Sequence, residues 1–132
     1  IQHLGLKVIN SLAGLTRSDF YAPGSLLRVL FDTNHPIAYG MPDPAATMFV
    51  NGPAFEVQEG RVVGRFPLHN PLASGLLVGG DKLFGKAALV SVALGAGEVI
   101  LVAFRPHFRA QARATYKILF NSMLYSAARS NK

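Results

Sequence analysis

The apolar positions of this chain fall into short runs divided by turn residues, with one longer helical pattern at the end. Residues 25–32, SLLRVLFD, form a compact apolar run between turn formers and predict a buried strand. Residues 47–50, 54–57 and 61–67 are short β-prone runs separated by Asn51-Gly52-Pro53 and Glu59-Gly60, a pattern that predicts an antiparallel meander. Residues 76–78 predict a brief strand. Residues 87–94 and 98–104 are the strongest strands, joined by Gly95-Ala96-Gly97 as a hairpin. Both are almost wholly apolar, so each is expected to be covered on both faces.

Two regions are less regular. Residues 1–20 carry apolar residues at Leu4, Val8, Leu12 and Leu15, near helical spacing, but Gly5 and Gly14 limit them to short helical turns. Ser18 and Asp19 are candidates to cap one such turn. Between Asn34-His35-Pro36 and Gly40-Met41-Pro42 only a short turn fits.

The last stretch, residues 104–124 (FRPHFRAQARATYKILFNSML), is read as an apolar strand running straight into the longest helix. At about 100° per residue, Phe108, Ala112, Tyr116, Leu119, Phe120, Met123 and Ala127 share one stripe, the expected core face. Gln111, Thr115 and Ser122 lie along its flank. Ile118 and Tyr125 fall on nearly the opposite side and imply a further contact, with another part of a longer protein or with a homodimer partner. The fold class expected is α/β: a mixed, largely antiparallel sheet packed by a long C-terminal helix.

Composition narrows this picture. The 132 residues suit a single domain, and 50% are apolar, enough for a sizeable core. The 13 glycines and 8 prolines are dispersed as turns, with no low-complexity block. The first residues begin in mid-pattern without Met, so the expectation is a piece of a longer polypeptide. No apolar run reaches the roughly 18 residues of a membrane span. The net charge of +6 invites a nucleic-acid or anionic-membrane reading, but no aromatic interleaving, zinc-finger spacing or RNA-binding signature accompanies it. Neither nucleic acid nor a membrane is therefore expected as a partner.

Candidate chemistry centres on four basic positions. Arg105, Arg109, Arg113 and Lys117 recur every four residues, and no acidic residue follows Glu98. Like charges at that spacing repel on a helix, and its N-terminus disfavours cations. One reading is an anion site in which Arg105, His107, Arg109 and Arg113, with helix N–H groups, hold a carboxylate or phosphate. The plainer reading, preferred on the sequence, is internal pairing with carboxylates such as Asp32 or Glu98 or with loop carbonyls. His3, His35, His69 and His107 stand too far apart for a zinc motif, and His35 and His69 read as turn residues. With no Cys, no G-x-S-x-G elbow and no phosphate loop, neither catalytic nor metal-binding residues are assigned.

Two stretches, GEVILVAFRPHFRAQARATYKILFNSML and YAPGSLLRVLFDTNHPIAYGMP, resemble the C-terminal domain of large bacterial zinc carboxypeptidase-like proteins. That domain is similar to class I glutamine amidotransferases, which are flavodoxin-like. The resemblance spans about residues 4–124 and implies that a half-domain bearing the first parallel strands precedes this chain, residues 1–132 being its C-terminal part. In active amidotransferases a late strand ends in Phe-His-Pro-Glu, where the His and Glu activate an upstream Cys. The similar position here is Phe104-Arg105-Pro106-His107. The resemblance thus implies a non-catalytic accessory domain that supports or positions a peptidase domain. That domain carries the zinc, with none bound here, in a periplasmic or extracellular setting. The alternatives are an amidotransferase-like hydrolase with its nucleophile upstream, and a small anion-binding module.

Overall fold

A run of six residues at the start of one strand, Ala87 to Val92, is buried without a break. This strand lies at the centre of a computed structural model that describes residues 1–110 and 112–130. Among the described residues there are eight strands: β1 (Val8–Asn10), β2 (Ser25–Phe31), β3 (Ala45–Phe49), β4 (Phe55–Val57), β5 (Arg61–Arg65), β6 (Leu72–Ser74), β7 (Ala87–Leu94) and β8 (Gly97–Val102). One α-helix, α1 (Tyr116–Ser130), closes the chain. The sheet runs β1-β4-β7-β5-β2-β3, with β6 added to β2 and β8 to β7, and every one of these pairings is antiparallel.

The apolar hairpin forms as its sequence predicts. β7 and β8 pair from Leu89↔Val102 to Leu94↔Gly97, and the other edge of β7 holds β5 from Arg61↔Ser91 to Arg65↔Ala87. β8, however, is only half-buried along most of its length, because a single helix is too narrow to cover its outer face. β2 is likewise half-buried: Leu27, Val29 and Phe31 point inward while Arg28 and Leu30 are exposed. The core gathers between them, with Phe31 edge-on to Phe104 and Phe49 edge-on to Phe66.

The meander does not form. β3 pairs with β2, β4 with β1 and β7, and β5 with β7 and β2, so none of the three pairs with another. The Asn51-Gly52-Pro53 turn is instead pinned elsewhere. Asn51 donates its N–H to the Ala22 carbonyl and accepts the Ala22 N–H on its side chain. Gly52 lies so close to the strand end that any Cβ there would collide with the carbonyl oxygen of Ala103.

The first 20 residues hold one short 3₁₀ turn, Gln2–Leu4, and a strand, β1, where only turns are expected. β1 survives at three residues because β4 supplies its partners, Val8↔Val57 to Asn10↔Phe55. Asp19 caps backwards, accepting the N–H and hydroxyl of Thr16. The brief strand expected at 76–78 is displaced: β6 lies at 72–74, and Val78 makes a single bridge to Tyr21. The turn after His35 is a 3₁₀ turn, Pro36–Ala38, as the proline pattern requires.

The largest departure concerns the end of the chain. No continuous helix leaves β8. Residues after Phe104 form turns, a 3₁₀ segment at Phe108–Ala110 with Arg109 at φ 45°, and a second at Arg113–Thr115, before α1 begins at Tyr116. Pro106 and the repelling arginines make this a poor helix start. Thr115 fastens the loop, with its buried hydroxyl donating to the carbonyls of Pro106 and Ala112, 2.7 Å from each. Phe108 and Ala112 therefore lie off α1, and Gln111 lies outside the described residues.

The helix is also turned over. Ile118 is 1% exposed and Tyr125 is half-buried, whereas Phe120, Met123 and Leu124 are 58%, 61% and 69% exposed. The physical reason is polar. The Pro36–Ala38 turn leaves carbonyls facing the helix, and Asn121 Nδ2 donates to those of Ile37 (3.1 Å) and Tyr39 (3.0 Å). Lys117 donates to Gly40, and Arg129 pairs with Glu98. These anchors share a side with Ile118 and Tyr125, so that side faces the sheet.

Candidate functional site

Once the helix is known to start at Tyr116, the four-residue spacing of the basic residues loses its meaning. Arg105, His107 and Arg109 sit on the irregular loop after β8 and Arg113 opens the last 3₁₀ turn. All four side chains are exposed. The loop is anchored by its backbone: Arg105 donates its N–H to the Met48 carbonyl of β3 at 2.8 Å. The Arg109 guanidinium lies 5.5 Å from the centroid of the Phe108 ring, a cation–π contact. Arg105, His107 and Arg109 are on the loop and not in the first turn of α1, although Thr115, the residue before that turn, holds the Pro106 carbonyl.

Of the expected internal pairing, Lys117 makes the loop-carbonyl kind, to Gly40, while the carboxylates named for it are engaged by other arginines among the described residues. Asp32 accepts from Arg61 at 2.9 Å, and Glu98 accepts from Arg129 at 3.1 Å. The remaining ion pairs among the described residues are Lys7–Glu59, Lys82–Asp81 and Lys86–Glu56. Arg105, Arg109 and Arg113 thus carry no carboxylate partner among the described residues. The carboxylates nearest in expectation were taken by arginines from other elements, Arg61 on β5 and Arg129 on the last turn of α1. Such long-range competition leaves no trace in local spacing.

A second cluster, which the sequence does not announce, holds α1 to the sheet. The buried His35 accepts the Ile37 N–H on Nδ1 at 3.3 Å, capping the Pro36–Ala38 turn, and its ring packs on Tyr125. Burial pushes the His35 imidazole below its ordinary pKa, and the Arg61 charge adds to this, against opposing effects of Asp32 and Glu98. The hydrogen bond from Arg61 holds the Asp32 carboxyl below its usual value. Arg129 is shared between Glu98 and the Tyr125 hydroxyl, 3.1 Å from each. These groups saturate one another. His35 is thereby a structural turn residue, as the proline context predicts.

The other two histidines are exposed and lie on separate elements, His3 in the first 3₁₀ turn and His69 before β6. Among the described residues no three His, Cys, Asp or Glu side chains converge as a metal site would require. What the basic loop offers chemically is an exposed cationic edge suited to an anion. Comparison with protein-family models, with curated proteins and with solved structures finds no match.

Proposed function

We propose that this chain is the C-terminal part of a class I glutamine amidotransferase-like, flavodoxin-like domain and serves a zinc carboxypeptidase-like protein as a non-catalytic accessory. It supports or positions the peptidase domain, to which the zinc and the peptide chemistry belong. The observation that carries this reading is the character of the loop after β8. In the place where the resemblance puts a base and its orienting carboxylate stand Arg105 and His107, both exposed. A guanidinium does not accept a proton near neutral pH. His107 has no carboxylate against it among the described residues to set its tautomer and orientation.

The test uses the full-length protein. Substitution His107→Ala is expected to leave peptidase activity intact, and the 132-residue chain is expected to turn over neither glutamine nor peptides. Loss of activity on His107→Ala with folding preserved would instead support an amidotransferase-like hydrolase whose nucleophile lies upstream.

The uncompensated charges of Arg105, Arg109 and Arg113 favour a second reading, a small anion-binding module with His107 at the same edge. Phosphate or sulfate titration followed by amide chemical shifts tests it. Shifts confined to residues 105–113 support it, and a spectrum unchanged there removes it.

A further inference from the structure

Two stretches far apart in sequence, residues 10–21 and the Asn51-Gly52-Pro53 turn, wall an open cleft of about 530 Å³ beside β1. That volume falls within the roughly 300–1,000 Å³ of small-molecule sites. Leu12, Leu15 and Phe20 supply its apolar surface. Leu12 is buried, and Phe20 is set edge-on against the core residue Phe49, so this wall is built on the core.

The polar side chains of the lining are Asn10, Arg17, Tyr21 and Asn51. Backbone N–H groups decide how the two carboxamides are oriented. Asn10 Oδ1 accepts from Leu12 at 3.1 Å and from Ala54 at 3.3 Å, and Asn51 Oδ1 accepts from Ala22 at 3.1 Å. Exchanging oxygen and nitrogen would set donor against donor, so Nδ2 is the end left to each residue. Asn51 is further held at φ 41° by its own N–H bond to the Ala22 carbonyl, 2.7 Å long. The Arg17 guanidinium lies over the Tyr21 ring, 5.5 Å from its centroid, and pairs with no carboxylate among the described residues. No acidic side chain lines the cleft. Each polar side chain there has an N–H or O–H to donate, and the only charged side chain is a cation.

We propose that this cleft binds a small organic monocarboxylate with an apolar body. Arg17, Tyr21 and the two carboxamides donate to the carboxylate, and the body lies on Leu12, Leu15 and Phe20. One guanidinium balances one negative charge, and its planar fork matches a carboxylate. A phosphate dianion would keep a charge uncompensated there. The site shares no residue with the basic loop at 105–113. It rests neither on the accessory-domain reading nor on the anion-binding one.

Titration of the 132-residue chain with phenylbutyrate, followed by backbone and side-chain amide signals in proton–nitrogen NMR spectra, tests it. The expected result is saturable shifts at the Asn10 and Asn51 side-chain amides and along residues 12–21, half-complete below about 10 mM. Phenylbutyramide has the body without the charge, and acetate the charge without the body. Each is expected to bind at least about 10-fold more weakly. Arg17→Gln, at an exposed position, is expected to weaken phenylbutyrate at least about 10-fold and leave phenylbutyramide unchanged. Asn51→Asp keeps an acceptor for Ala22 and a residue that tolerates the left-handed backbone, but puts an oxygen in the place of Nδ2. It is expected to weaken phenylbutyrate by at least about 10-fold as well, with circular dichroism unchanged. No saturation by about 10 mM, or equal binding of the amide or of acetate, overturns the proposal. So do Arg17→Gln and Asn51→Asp chains that bind like the parent, and shifts confined to residues 105–113, which would assign the acid to the basic loop.

Discussion

The imidazole of His35 packs on the ring of Tyr125, with 5.5 Å between centroids and a 60° tilt, joining the Pro36–Ala38 turn to the middle of α1. Because Nδ1 accepts the Ile37 N–H, the ring must be neutral there to keep the cap. Its pKa is lowered in the folded chain, first by burial and then by Arg61. Below about 6.5 the unfolded chain therefore binds a proton that the folded chain refuses. Stability from this group is full above that pH and declines as pH falls through it toward the depressed folded value. Thermal unfolding between pH 7.5 and 5 is expected to show this loss. His35→Asn, which keeps an acceptor at the cap without titrating, is expected to flatten the slope, and equal slopes in the two proteins would sink the idea.

Asn121 provides an independent test of how α1 is seated. Its amide serves two carbonyls, those of Ile37 and Tyr39, which have no competing donor from a regular ladder. Asn121→Ala is expected to cost about 1 kcal/mol, mainly from the part-buried Ile37 carbonyl, since water can reach the exposed contact at Tyr39. Asn121→Asp is expected to cost more, since a carboxylate would face two carbonyl oxygens. Urea denaturation of the three proteins gives the order directly.

The orientation of the helix makes a sharper contrast between neighbours in sequence. Ile118 is in the core at 1% exposure, so Ile118→Ala is expected to destabilise by about 2–4 kcal/mol. Phe120→Ser, two residues away and outward, is expected to change stability by less than about 0.5 kcal/mol. In chemical denaturation, the reverse order would mean that the stripe read from hydrophobicity faces the core after all.

That reversal shows what the amino-acid pattern carries and what it omits. The β7–β8 hairpin was readable because two long apolar runs flank a glycine turn, so burial and turn chemistry agree. β2 was readable for the same reason, although its exposed Arg28 and Leu30 give it one buried face instead of two. β1 was not, since three residues acquire strand structure only through β4, a partner far along the chain. The helix face was misread because periodicity weighs apolar side chains and cannot see the carbonyls of residues 37–40, whose demand for donors selects the side bearing Asn121. The basic loop is legible as a cluster, but its geometry depends on Thr115 and on the pairing of Asp32 with Arg61 and Glu98 with Arg129.

Gly52 is a position where a single methyl group decides the path of the chain. A Cβ there would run into the Ala103 carbonyl, a backbone atom fixed by its own residue's N–H bond to Ala88 at the end of the central hairpin. Neither side of the contact is a flexible side chain, so relief requires moving the turn or the strand end. Gly52→Ala is expected to destabilise by roughly 2 kcal/mol or more, in the range of overpacked core sites. A thermal midpoint equal to that of the parent chain would show that the turn is free to move.

Ser91 predicts a change in the opposite direction. Its hydroxyl, on the central strand β7 with neighbours on both edges, is buried and has no hydrogen-bond partner among the described residues. Burying an unpaired hydroxyl costs about 1–3 kcal/mol relative to leaving it in water. Ser91→Ala removes that cost while deleting one atom from a site that is 2% exposed. The lost packing is small beside the recovered desolvation, so the variant is expected to be as stable as the parent or more stable by up to about 1 kcal/mol. Chemical denaturation decides the matter. A clear destabilisation would mean that the hydroxyl is bonded in solution, most simply to a water held between β7 and its cover.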